Sequence, residues 1–289
     1  MRNKENIKSI LKSCNLFQFS NLKIYYTFEI SEIDLKPYYL NHYIEAYLLS
    51  NFRLSSLKHE LNKVSGIEAK NVEVFITTEK GLYKKILDEQ GMHWVTDKDL
   101  EQKFGFVSGG LNICYINKEV LTKYLPPRSS ELDSLSHEFT HILLSQYLNI
   151  EVEEYNRYWN NVFDEGFAVL LNKQYKYIFN IRKDLVSNTE KGLNSISIEY
   201  LKENGFFKID KRFVTENFEY QYCASIVKKI DDMIRKEDEY ISEIPLRGIF
   251  LYLMKQEERG KCIEEDLLKD FGINIPNIEK ELREELGMS

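Results

Sequence analysis

This chain of 289 residues lacks several features that mark particular classes of protein. Its four cysteines are far apart and form no CxxC pair, so neither a disulfide framework nor a cysteine zinc site is expected, and free thiols in a reducing compartment are favoured. Basic residues are not in excess, because 39 Lys and Arg stand against 46 Asp and Glu. A nucleic-acid partner is therefore not predicted.

Long hydrophobic runs are also missing. No apolar stretch reaches the roughly 18 residues that a membrane-spanning helix needs. The first residues, Met1 to Asn6, are polar and are not followed by the apolar core of a secretory signal. The sequence therefore predicts a cytoplasmic protein without a membrane span, whose oligomeric state the sequence leaves open.

Hydrophobic periodicity predicts an α+β fold. The polar, mixed residues 1–20 indicate a peripheral helix. Alternating apolar residues indicate strands at about 21–30, 71–78 and 110–117, the last one following a glycine turn at 105–110. Helical spacing indicates further segments at about 37–64, 81–90, 129–148, 155–180, 196–204, 216–236, 242–257, 262–270 and 276–286. We expect an extension at 1–20 and one domain at 21–289. Its two parts are a mixed sheet with helices at 21–150 and a mainly helical half at 151–289.

The most informative stretch is His137-Glu138-Phe139-Thr140-His141, which reads H-E-x-x-H. Ser129 or Ser130 can cap the helix that carries it. Residues four apart on a helix lie on the same face, so His137 and His141 can direct two imidazoles at one zinc ion, at about 2.0–2.1 Å. Glu138 can then reach a water molecule at that metal. The alternative is a pair of buried histidines that are satisfied by hydrogen bonds.

A catalytic zinc needs a third protein ligand, and Glu165 is the candidate. It lies in Asp164-Glu165-Gly166-Phe167-Ala168, within a predicted helix. The small residues at 166 and 168 predict a close approach to the HExxH helix. Asp164 is expected to accept a hydrogen bond from a ligand histidine, and in an alternative arrangement Asp164 itself is the third ligand.

Together these two motifs resemble the gluzincin metallopeptidases, and most of all the peptidase MA-like group with its W-L-x-E-G-x-A segment. Phe163 stands in place of the usual Leu, and the Trp is absent from its usual place. Weaker similarity to the group's later helices extends over residues 218–227 and 268–282. The resemblance covers nearly the whole chain, but only the HExxH and glutamate core is specific.

The resemblance implies a thermolysin-like fold and zinc-dependent hydrolysis of peptide bonds in a peptide or protein substrate. Glu138 would act as general base and later protonate the leaving amine. The strand at 110–116 would pair with an extended substrate by strand addition. Tyr220, with Tyr222 in reserve, would stabilise the oxyanion, although either tyrosine can instead be a packing residue. The alternative function is a gluzincin-like binding or regulatory protein with little or no hydrolysis.

Overall fold

The structure is a computed structural model that describes residues 2–27, 36–58, 71–77, 79–89, 93, 96, 105–108, 113–117, 129–148, 157–172, 218–237, 245–255 and 263–285. The chain divides into two compact units, which comprise residues 1–54 with 65–147 and residues 55–64 with 148–289. The described part is mostly helical with one mixed sheet, which confirms the α+β class. No helix in these ranges is long and apolar enough to cross a bilayer.

The first unit contains the sheet and the helices around it. Its elements are α1 (Arg2–Lys12), β1 (Asn15–Phe19), β2 (Leu22–Tyr26), α2 (Lys36–Lys58), β3 (Val72–Thr77), α3 (Lys80–Glu89), β4 (Gly105–Ser108), β5 (Ile113–Asn117) and α4 (Ser129–Leu148). The last residues of α2 and α4 fall in the second unit. The sheet has the order β1-β2-β3-β5-β4. Its three central strands are parallel, and the two outer ones are antiparallel to their neighbours.

Two strands were not expected from the sequence. β1 lies in the stretch for which a helix at the periphery was predicted, and β4 lies where only a glycine turn was predicted. Each is short and ends the described sheet, and β1 is largely exposed, so its side chains show little alternation. The buried strand β2 does alternate, with Leu22, Ile24 and Tyr26 on one face, and was predicted. Short edge strands are therefore not predicted from alternating hydrophobicity, because that pattern requires one buried face.

The position of β5 contradicts the expected strand addition. β5 pairs with β3 on one side and with β4 on the other, so both of its backbone edges are already hydrogen bonded. An extended substrate cannot add to a strand whose two edges are taken. In the described sheet the strand at this end is β4, which is antiparallel to β5.

The N-terminal helix is part of the first unit's core. Ile7 and Leu11 of α1 are buried, at 2% and 6% exposure. They pack in one cluster with residues of β3 and α3, namely Phe75, Tyr83, Ile86 and Leu87. This apolar stripe at a spacing of four residues anchors α1 beside the sheet.

The second unit is helical in its described part. Its helices are α5 (Arg157–Leu171), α6 (Phe218–Glu237), α7 (Arg247–Lys255), α8 (Ile263–Phe271) and α9 (Ile275–Glu285). Asp231 of α6 is 1% exposed, and its carboxylate accepts hydrogen bonds from the backbone N–H groups of Leu246 and Ile249. The side chain of one helix thus caps the start of α7.

These bounds agree closely with the helices predicted after residue 150. The predicted helix at 155–180 appears as α5, which ends at Leu171, and the last four predicted helices appear as α6 to α9. The predicted helix at 196–204, the continuation of α2 to residue 64 and residues 173–180 lie outside the described residues. Helical periodicity over long segments was therefore a reliable indicator in this chain.

Candidate metal centre

Helix α4 carries the HExxH motif on its buried side. His137 and His141 are each 8% exposed, and Phe139 between them is fully buried. The Nε2 atoms of the two histidines lie 3.0 Å apart, with ring planes at 85°. One helical turn therefore brings both imidazoles together, as the spacing of four residues predicted.

The interior of the first unit fixes how α4 packs. Phe139 meets the rings of Tyr43 and Tyr47 edge-on, with centroid distances of 6.5 and 5.8 Å. Burial raises the pKa of the Tyr47 hydroxyl, so this ring stays neutral in the apolar contact. The contact places the aromatic residue of the motif in the core beside α2.

Glu165 completes a group of three candidate ligands with the two histidines. One ligand atom from each of His137, His141 and Glu165 lies within 4.8 Å of the other two. Glu165 is half-buried on α5. Asp164, the alternative third ligand, lies within the described residues but is not part of this group. The predicted set of one carboxylate and two imidazoles is therefore present in the structure, and this group could hold a metal ion.

The donor chemistry fits a divalent metal. Two nitrogen ligands at 2.0–2.1 Å from a tetrahedral ion are about 3.3–3.4 Å apart. The Nε2 atoms of His137 and His141 are 3.0 Å apart, a few tenths of an ångström closer, which is also the distance of a hydrogen bond between two imidazoles. Two imidazoles and one carboxylate also leave one tetrahedral position open, as a catalytic ion requires.

Glu138, the predicted base, follows the first ligand directly on α4. It is half-buried, in contrast to the buried residues on either side of it. A position 100° around the helix from His137 keeps its carboxylate out of the ligand set while it remains beside the same turn. Its assignment as the general base stays a prediction.

Gly166, which follows Glu165, lies at a very close contact between helices. A Cβ atom at this position would be 2.4 Å from Cγ2 of Val227 and 2.8 Å from the carbonyl oxygen of Cys223. Both neighbours belong to α6. The nearest neighbours of Gly166 are thus on α6, and the expected approach of this segment to the HExxH helix stays a prediction. The missing side chain lets α5 and α6 pack almost backbone to backbone.

We expect Gly166→Ala to lower the free energy of unfolding by about 1–3 kcal/mol, because the added methyl group overpacks a contact that includes backbone. Urea denaturation measures the change. Gly81→Ala is the matched control, since a Cβ atom at Gly81 meets nothing within 4 Å. If the two variants unfold at the same urea concentration, a methyl group at the tight contact of Gly166 does not change the free energy of unfolding.

The two candidate oxyanion tyrosines occupy different sides of α6. Tyr220 is three and seven residues before Cys223 and Val227, so it continues the stripe that packs on Gly166 of α5. Tyr222 is offset from Tyr220 by about 200° around the helix. Both side chains are half-buried. Tyr220, unlike Tyr222, therefore lies on the face of α6 that packs against α5, the helix that carries Glu165.

One residue beside the motif was not singled out from the sequence. Ser50 of α2 is fully buried and donates a hydrogen bond of 2.8 Å from Oγ to the backbone carbonyl of Ser136, immediately before His137. A serine inside a helix could not be recognised from the sequence as part of the site, because its hydrogen-bond partner is a backbone atom.

No protein-family model matches the sequence, and a search of curated proteins finds no significant match.

Proposed function

We propose that this protein is a zinc metallopeptidase of the gluzincin type, in which His137, His141 and Glu165 hold the ion. The observation that carries the proposal is the convergence of these three side chains, with ligand atoms within 4.8 Å of one another. Two imidazoles from an HExxH helix and one carboxylate from a later helix are the set that a hydrolytic zinc site uses.

Glu138 is the residue that moves protons in this proposal. Bound zinc would polarise the scissile carbonyl and lower the pKa of a water molecule. The Glu138 carboxylate accepts a proton from the attacking water and then donates it to the nitrogen of the leaving amine. Its half-buried position beside His137 supports this role, because a base must face both the ligand turn and the open side where substrate enters.

Tyr220 is proposed as the hydrogen-bond donor to the oxyanion that develops on the attacked carbonyl. The support is its position on the stripe of α6 that packs against α5, which carries Glu165. A phenolic hydroxyl donates to this oxygen more strongly as negative charge accumulates there, so it favours the transition state over the bound substrate.

The edge strand β4 is the proposed place for an extended peptide substrate. β5, expected for this role from the sequence, is paired on both sides. β4 ends the described sheet and belongs to the same unit as α4, so its outer backbone edge is the one suited to strand addition. A thermolysin-like arrangement and a cytoplasmic location complete the proposal.

Metal analysis combined with peptide cleavage tests the proposal. We expect one zinc per chain after purification and dialysis, and cleavage of an unstructured protein such as denatured casein that a chelator stops and added zinc restores. A chain that binds no metal contradicts the proposal. A chain that binds one zinc but cleaves no member of a broad peptide library supports the alternative of a binding or regulatory protein.

A further inference from the structure

The backbone carbonyl of Ser136 accepts two side-chain hydroxyl groups. Oγ of Ser50 donates to it at 2.8 Å and Oγ1 of Thr140 at 2.7 Å. All three residues are fully buried. Because the surroundings exclude water, each of these hydrogen bonds is stronger than it would be at the surface.

The two hydroxyl groups act on different parts of the structure. Thr140 belongs to α4 itself, so its bond returns to the preceding turn of its own helix. Ser50 belongs to α2, so its bond connects two helices that also meet through aromatic contacts around Phe139. Aromatic contacts allow a helix to turn or slide by a fraction of an ångström, whereas a hydrogen bond is directional.

The bond from Ser50 reaches the peptide group that leads into the first ligand. The carbonyl of Ser136 and the N–H of His137 belong to one planar peptide group. A donor fixed on α2 therefore sets the rotation of α4 at the turn that carries His137. One turn later the same rotation sets the direction of His141, whose Nε2 must stay close to that of His137.

We propose that Ser50 is a positioning residue of the metal centre: its hydroxyl holds α4 in the rotation that directs both imidazoles at one ion. This inference rests on the proposed metal site and adds to it a residue from a different helix. Groups that orient metal ligands commonly change metal affinity by about 10- to 100-fold when removed.

Ser50→Ala tests the inference, with cobalt(II) as the probe. Its affinity is measured by competition with a chromophoric chelator, and its visible absorption reports the ligand geometry. We expect the affinity to fall about tenfold, with an altered absorption band. The melting temperature without metal should fall by only about 2–4 °C, since the Ser136 carbonyl keeps its bond to Thr140 and its helical bond.

Thr140→Val is the matched control, because it removes the other hydroxyl group from the same carbonyl and leaves the connection between α2 and α4 intact. We expect a similar fall in melting temperature and a cobalt affinity within about threefold of the unmodified chain. Equal cobalt affinity in Ser50→Ala and the unmodified chain overturns the positioning role while the metal site stands. Equal losses in both variants also overturn it, since they indicate a general loosening of α4. An unmodified chain that binds no cobalt or zinc overturns both proposals.

Discussion

If the proposed function is correct, we expect Glu138→Gln to lower kcat/KM for peptide hydrolysis by about 10²- to 10⁴-fold and to leave zinc bound. The magnitude is that of removing a positioned general base, because the amide has nearly the same shape but cannot accept the proton of the attacking water. Zinc should stay bound because Glu138 is not among the three ligand candidates. Zinc content and initial rates on one fluorogenic peptide measure the two effects separately.

The control for this substitution is Glu79→Gln, which makes the same chemical change at an exposed position of the first unit. It should retain full activity and full zinc content. A Glu138→Gln variant that hydrolyses peptide at the unmodified rate rules out Glu138 as the base. A variant that loses zinc together with activity instead places Glu138 in a structural role.

Local geometry explains why one part of the metal centre could be predicted from the sequence. A helix places residues four apart on one face whatever surrounds it, so the pairing of His137 with His141 followed from spacing alone. The helix itself begins at Ser129, so Ser129 and Ser130 lie in its first turn and not at the capping position before it. Glu165 was a candidate because a third ligand was needed and it lies beside small residues on a predicted helix, and the resemblance to a known motif added support. Spacing alone does not predict that residues on separate helices meet.

Other features of the structure could not be predicted from the sequence. Ser50 lies 86 residues before Ser136, and it binds a backbone carbonyl that every residue type possesses. Gly166 was recognised as a small residue, but its close contact with α6 was not predicted. The edge strand β1 was missed because its side chains are mostly exposed and do not alternate, although it is as long as β2. The strand β4 has only four residues, too few to display an alternating pattern. Long periodic segments were therefore predicted, while long-range packing partners were not.

Glu165→Gln weakens zinc binding by at least about 100-fold, the second large effect that we expect. The carboxylate is the only anionic group among the three ligand candidates, so its charge contributes strongly to holding a divalent ion. Even residues that only orient metal ligands change affinity by about 10- to 100-fold, and a direct ligand should exceed that range. Competition with a chelator of known affinity measures the loss, and peptide hydrolysis should fall with zinc occupancy.

Asp164→Asn provides the matched comparison, because it removes the same charge from the adjacent, also half-buried, residue of α5. Neighbouring side chains on a helix point about 100° apart, so only one of the two carboxylates can face the histidine pair. We expect the zinc affinity of Asp164→Asn to stay within about tenfold of the unmodified chain, the lower end of what an orienting group contributes. The reverse order, with zinc lost in Asp164→Asn and kept in Glu165→Gln, would make Asp164 the third ligand and would require α5 to be turned by one residue about its axis.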